Sequence, residues 1–186
     1  AFLSKKLENN FNLDTIILSD GKQRKLVSKI FDLFKLNKRL KVQIGFDEPF
    51  LLLLTIYYGI FFIVKINFCG FDWFVKNGSV KDIKIGDLIY DQYIRKGYNF
   101  INPNCFDKGF IKILFISIFK LLFIEKFFKN NSIKYSLIGS ITYFTISSII
   151  LRISQKKKVP VIYVSHDNYS IIKKGNYDLG DILKGF

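Results

Sequence analysis

The hydrophobic and polar positions in the first third of the chain predict two short strands separated by a helix. Residues 15–19 form a β-branched apolar run that ends at the turn signal Asp20-Gly21, a pattern typical of a strand followed by a turn. Apolar residues then recur at helical spacing over 22–36, so this segment is predicted to be an amphipathic helix. Residues 41–46 can form a second short strand.

The segment 50–64 is apolar almost throughout and lies between Glu48 and Lys65. The intervening Pro49 is typical of the first turn of a helix. A membrane-spanning helix needs about 20 apolar residues, and this run is about five residues too short. We therefore predict a buried helix over 50–64, with a helix lying in the membrane interface as the alternative.

Two further helices are predicted in the middle of the chain. The apolar residues Val80, Ile83 and Ile85 lead into Gly86-Asp87, which indicates a strand passing through a turn into a helix of roughly 87–96. The segment 109–129 has apolar runs broken by single charged residues, which predicts a helix with a narrow polar stripe. The residues of that stripe are Lys112, Lys120, Glu125 and Lys126.

The last third of the chain predicts a strand over 133–138, a helix over 142–156 and a strand over 159–164. A strand, a helix and a strand within about thirty residues are typical of a βαβ unit, whose strands are parallel. From this βαβ unit at 133–164 we predict an α/β fold: a single Rossmann-like domain over 1–186, with a mostly parallel sheet.

Composition narrows the class of protein. The chain has 186 residues, of which 49% are hydrophobic and three are prolines, so it has the core of one domain and is not a disordered linker. Cys69 and Cys105 are too far apart in sequence for a disulfide framework or a zinc cluster with the usual ligand spacing. No metal site is predicted, and a reducing compartment is favoured.

The net charge of +14 suggests nucleic acid or an anionic membrane surface as a partner. Lysine supplies nearly all of this charge, whereas arginine is the preferred residue for phosphate and base-edge contacts. Ile, Phe, Asn and Tyr are abundant as well, so A/T-rich codons explain most of the lysine. We predict no nucleic-acid partner. The only arginines are Arg24, Arg39, Arg95 and Arg152.

Two candidate ligand sites follow the strands of the predicted βαβ unit, since open parallel sheets bind ligands beyond the carboxyl ends of their strands. Ser140 and Thr142 lie at a predicted helix start, where backbone N–H groups can hold a phosphate or a sugar hydroxyl. An ordinary helix cap is the alternative. His166, the single histidine of the chain, and Asp167 follow the last strand. This imidazole could act as a general base, and a loop histidine with local hydrogen bonds is the alternative.

The segment 85–95 is a third candidate site. On a helix, Asp87, Asp91 and Arg95 lie on one face at spacings of four residues. Asp91 beside a sugar hydroxyl could serve as a base or as an acceptor clamp. The alternative is an N-cap at Asp87 and a surface ion pair between Asp91 and Arg95.

The residues Gly86-Asp87-Leu88-Ile89-Tyr90-Asp91, followed by Tyr93 and Arg95, resemble a segment of bacterial capsular and surface-polysaccharide biosynthesis proteins of the glycosyltransferase-like kind. The resemblance extends over roughly 80–175, and its sharp part is this short core. The turn at 139–142 departs from the more polar, histidine-bearing turn of that family. The resemblance implies the N-terminal, acceptor-side domain of a two-Rossmann-domain (GT-B) enzyme.

The same resemblance implies that a sugar passes from a nucleotide-sugar donor to a glycan or lipid-linked acceptor. The donor would bind a second domain, and no cofactor is expected in this chain. Ala1 at the start and the absence of methionine predict a piece of a longer protein, inactive in transfer on its own. Asp91 and His166 are then the catalytic candidates; Gly86, Asp87, Ser140, Thr142 and Asp167 are the substrate-binding candidates.

A cytoplasmic position, peripheral at the inner membrane, is expected for such an enzyme. The alternative function is a non-enzymatic basic protein held at an anionic membrane surface through 50–64. For the enzyme, Asp91 and His166 are predicted to line one cleft at the carboxyl edge of the sheet, within about 15 Å of each other. This prediction requires the strand over 80–85 to belong to the main sheet.

Overall fold

A computed structural model describes residues 16–19, 39–42, 48–96, 104–138, 146–164 and 169–172 of the chain. In this part of the chain, helices hold most of the residues. The elements in chain order are β1 Ile17–Ser19, β2 Arg39–Lys41, α1 Pro49–Asn77, β3 Ser79–Val80, β4 Ile83–Lys84, α2 Gly86–Arg95, α3 Lys108–Asn130, β5 Ser136–Ile138, α4 Ile146–Lys157, β6 Val161–Val164 and β7 Tyr169–Ile172.

The core is built around α3, which packs against each of the other three helices. A helix that is apolar on most of its surface is stable in water only when neighbours cover it, and α1, α2 and α4 cover α3 from different sides. The charged stripe that the sequence predicted stays at the edge of this packing. The fully buried residues of α3 are Phe110, Leu114, Ile118, Leu121, Leu122 and Ile124.

Helix α1 is bent sharply at Gly70, whose φ of 80° and ψ of 169° are not helical. The rings of Phe62 and Phe74 lie on opposite sides of this bend, and their centroids are 5.1 Å apart. Twelve residues of straight helix would separate their backbones by about 18 Å. The chain therefore folds back at Gly70, a conformation that glycine adopts without steric cost.

Short strands form three small sheets in the described chain. β1 pairs with β2 in parallel, and β3 pairs with β4 as an antiparallel hairpin. Its two turn residues, Lys81 and Asp82, have φ of 49° and 60°, the positive values that a two-residue hairpin turn requires. In the third sheet β6 lies between β5, its parallel partner, and β7, its antiparallel partner.

The predicted Rossmann-like domain with a mostly parallel sheet is wrong, because the described chain is mostly helical and its strands do not join into one parallel sheet. Two apolar segments that would have covered such a sheet pack against each other as α1 and α3. The elements β5, α4 and β6 do follow one another within 133–164. They form a local β-α-β crossover next to the helical core, and β7 pairs with β6 as an antiparallel edge strand.

The other predicted elements have different outcomes. The helices predicted over 87–96 and 109–129 are confirmed as α2 and α3. The buried helix predicted over 50–64 is wrong in its length and in its burial, since α1 continues to Asn77 and one of its faces is exposed. The helix predicted over 22–36 lies outside the described residues.

Candidate functional site

Gly86, predicted to bind substrate, is the point at which α2 is pressed against the end of α1. A Cβ atom at this position would lie inside the contact radius of the Phe74 carbonyl oxygen and 2.8 Å from its carbonyl carbon. The Gly86 backbone N–H also donates to the Gly78 carbonyl at 2.9 Å. Close packing of two backbones accounts for glycine here without a ligand.

Asp87, the second residue of the predicted substrate-binding segment, forms a two-fold ion pair with Arg152 of α4. The Nη1 and Nη2 atoms of Arg152 donate to Oδ1 and Oδ2 of Asp87 at 2.8 and 2.7 Å, and Nη1 also donates to the Lys84 carbonyl. The Asp87 side chain does not cap α2, since Ile85 occupies the N-cap position. This carboxylate therefore holds α4 against α2 and the hairpin.

The pKa of Asp87 is lowered from its ordinary value of 3.8. Burial acts to raise this pKa, but the hydrogen bonds and positive charge of Arg152, with the charge of Lys84, outweigh it. The ionised carboxylate thus stabilises the fold. Its contribution is fully present above the ordinary value and is lost as the pH falls through the lower folded-state value.

We expect the Asp87→Asn variant to show this pH dependence directly. At pH 6 the wild type should be more stable to urea than the variant, because only the wild type has the charged pair. The difference should narrow as the pH is lowered below about 3.8, where the Asp87 carboxylate takes up a proton. Urea unfolding of both proteins from pH 6 to pH 2.5 measures it, and a constant difference over that range would contradict the assignment.

Asp91, predicted to be catalytic, forms an ion pair with Arg95 on the surface. This pair is the alternative that the sequence offered to a catalytic role. The Nε atom of Arg95 donates to both carboxylate oxygens at 3.0 Å. Both side chains are largely exposed, and the pair lies on the outer surface of α2. Asp91 is accessible, and its carboxylate is held by Arg95.

The remaining predicted site residues, Ser140, Thr142, His166 and Asp167, lie outside the described residues. The cleft shared by Asp91 and His166 therefore stays a prediction. Its premise, that the strand over 80–85 belongs to the main sheet, is wrong. Residues 79–84 form the β3–β4 hairpin, a sheet separate from β5–β7, so the segment 86–95 does not begin at the carboxyl edge of a parallel sheet.

Tyr93 and Asp107 form a pair that the sequence analysis missed. The Tyr93 hydroxyl donates to Asp107 Oδ2 at 3.3 Å, and Oδ1 of Asp107 accepts the Gly109 N–H at 2.6 Å. Burial, then the neighbouring carboxylate, raises the pKa of Tyr93. Since Tyr93 is fully buried, this pair fixes the start of α3 against α2.

The feature with the clearest binding potential is the outer face of α1. Its exposed apolar side chains recur at intervals of three and four residues, so they form one continuous row along the helix. Between Pro49 and Phe71 the sequence has a single charged residue, Lys65. We call this row the α1 apolar face; it consists of Phe50, Leu53, Ile56, Tyr57, Ile60, Phe61, Val64 and Phe68, with exposed fractions of 39% to 81%.

Lys65 lies at the edge of the α1 apolar face, and aromatic rings hold its side chain. The Nζ atom is 5.9 Å from the Phe61 ring centroid and 5.8 Å from that of Trp73. Such an arrangement keeps the charge at the rim while its aliphatic stem covers apolar surface. The bend at Gly70 follows, and the first acidic residue beyond the row is Asp72.

Within the described residues, α1 is the one helix whose length and composition would allow it to cross a membrane. The core helix of a soluble protein can pass the same test, but its apolar residues would then be covered. No group of three His, Cys, Asp or Glu side chains in this part of the chain could hold a metal ion. The uncovered apolar residues of α1 therefore favour binding to an apolar surface.

Comparison with known proteins gives no relative: no family, characterised protein or solved structure matches the chain.

Proposed function

We propose that this chain binds an anionic membrane surface through the α1 apolar face. The observation that carries the proposal is the unbroken row of exposed apolar side chains from Phe50 to Phe68, with Lys65 at its rim. Soluble monomers rarely expose a contiguous apolar surface of this extent without a partner. Burial of such a face at a membrane surface would stabilise the bound protein.

The positive net charge of the chain favours binding to anionic lipids. Lysine and arginine number 29 against 15 acidic residues, and each lysine close to an anionic bilayer contributes about 1 kcal/mol of attraction. Three of the described carboxylates are held in ion pairs between different elements: Glu48 with Lys126, Glu125 with Lys81, and Asp87 with Arg152. The net charge is thus carried by lysines, which favours headgroups such as phosphatidylglycerol.

Sugar transfer to a glycan or lipid-linked acceptor is the second candidate function. Its support is the sequence resemblance of the segment from Gly86 to Arg95. Gly86 and Asp87 have structural roles in the fold, so Asp91 is the accessible carboxylate that this candidate would use. Binding at a membrane surface is compatible with it, because a lipid-linked acceptor lies at that surface.

Vesicle flotation tests the membrane proposal. We expect the wild type to float with vesicles that contain phosphatidylglycerol, and the Ile56→Glu/Ile60→Glu double variant to bind about a hundredfold more weakly. Each isoleucine side chain moved from water into lipid is worth about 1.5 kcal/mol or more, and the added charges oppose anionic lipid.

Leu137→Glu is the matched control, since Leu137 is an exposed apolar residue on β5, away from α1. This variant should float like the wild type. Equal flotation of the double variant and the wild type would rule out the α1 apolar face as the binding surface. A wild type that stays unbound at low salt would overturn the proposed function itself.

A further inference from the structure

We infer that α1 lies in the plane of the membrane interface, with residues 50–68 embedded along one side, and does not cross the bilayer. This inference rests on the proposed function and adds the orientation and depth of the bound helix. Up to the bend, α1 has about the length of a hydrocarbon core, roughly 30 Å, so its length allows either orientation. The contacts of its inner face decide between them.

The inner face of α1 is covered by α3 along the part that precedes the bend. At one end Lys126 Nζ donates to both carboxylate oxygens of Glu48 at 2.7 and 2.6 Å. In the middle, Gly59 lies so close to Phe115 that a Cβ atom would be 2.6 Å from the ring. The buried residues of this face are Leu51, Thr55, Gly59, Phe62 and Ile66.

A transmembrane α1 would bring α3 into the bilayer with it. The two helices run antiparallel, so Lys112 and Lys120 of α3 would enter the hydrocarbon beside α1. Each charge near the bilayer centre lowers insertion about a hundredfold. Separating the helices avoids this cost, but it exposes buried residues of α3 such as Leu114 and Ile118 to water. In-plane binding avoids both costs, because only the outer face of α1 meets lipid.

The contacts near the C-terminal end of the α1 apolar face determine where the membrane-embedded part of α1 ends. Lys65, held at the Phe61 and Trp73 rings, places its ammonium group at the level of the lipid headgroups. Beyond Gly70 the chain folds back, and Phe71 packs on Tyr90 of α2 and on Phe110 of α3, with ring centroids 5.6 and 5.0 Å apart. Residues after Gly70 therefore belong to the helical core and not to the membrane-bound part.

Spin-label depth measurements on the full chain test the orientation. Phe50, Tyr57 and Val64 are exposed and lie seven residues apart on the same face. Each is replaced by cysteine in a Cys69→Ser background and labelled with a nitroxide, while Cys105 is buried. The relative access of oxygen and of a water-soluble nickel chelate to each label gives its depth in phosphatidylglycerol vesicles.

For a helix in the plane we expect all three labels at the same depth, about 5–10 Å below the headgroups. A transmembrane helix would separate the labels at Phe50 and Tyr57 by about 10 Å in depth. That result would overturn the inference and leave membrane binding intact. Labels that stay fully accessible to nickel in the presence of vesicles would overturn the proposed function. Spin–spin broadening without lipid would overturn it as well, because it would indicate that a second copy of the chain covers this face.

Discussion

The Gly86→Ala variant is expected to lose about 3 kcal/mol of its free energy of unfolding, the largest effect expected for an added methyl group at the glycines of the described residues. The new Cβ would overlap the Phe74 carbonyl oxygen and lie 3.2 Å from the Gly78 Cα atom. These are backbone atoms, so no side-chain rotation can relieve the overlap, and α2 has to move away from α1. Overpacking of this kind costs about 1–3 kcal/mol, and more where the backbone cannot shift.

Gly59→Ala is the matched control for this prediction. Its Cβ would also overlap a neighbour, but that neighbour is the tip of the Phe115 ring, which can rotate. Alanine is also a better helix former than glycine by about 1 kcal/mol, so the control should have nearly wild-type stability. Urea unfolding of both variants measures the difference. Equal stabilities of the two variants would contradict the close approach of α2 to α1.

The Arg152→Met variant is expected to lose about 2 kcal/mol of stability. Arg152 and Asp87 side chains are 14% and 31% exposed, so removal of the guanidinium leaves a partly buried carboxylate without its main partner, a loss typical of hydrogen bonds to charged groups. Methionine retains the apolar stem of the arginine side chain, so the loss of stability measures the contribution of the guanidinium group.

Arg95→Met provides the comparison, since the Arg95–Asp91 pair is exposed and spaced four residues apart on one helix. Removing such a pair costs about 0.4 kcal/mol. The Arg152→Met protein should also regain stability when Asp87 is changed to Asn as well, because the unpaired carboxylate is then gone. A double variant no more stable than Arg152→Met alone would show that the ion pair does not hold α4 to α2.

The sequence predicted α2 and α3 well because their signals are local. An apolar run with a regular polar stripe is a helix whatever it packs against. The segment 80–85 shows the opposite case: its apolar residues Val80, Ile83 and Ile85 fit a parallel strand and a hairpin equally well. The choice depended on the Lys81-Asp82 turn, whose positive φ values are uncommon for residues other than glycine, asparagine and aspartate.

The candidate sites were less predictable because they depend on distant partners. Asp87 was recognised as a notable residue, but its partner Arg152 is 65 positions away in the chain, and no local pattern links the two. The sequence pattern underestimates the extent of α1 because a charged residue such as Lys65 predicts the end of an apolar helix, whereas the rings of Phe61 and Trp73 accommodate that lysine. The sequence of α1 is apolar almost all round, so it does not distinguish the exposed face from the buried one. The packing of α3 decides which face is covered.

The bend at Gly70 also has a mechanical consequence. Helices resist bending because their hydrogen bonds run without interruption, and a break in that ladder is where they yield. A force on the first part of α1, such as the membrane that we propose it binds would exert, would therefore concentrate at Gly70, where an added Cβ would meet no neighbouring atom within 4 Å. The tightly packed contact between Gly78 and Gly86 lies beyond this joint and is shielded from that load.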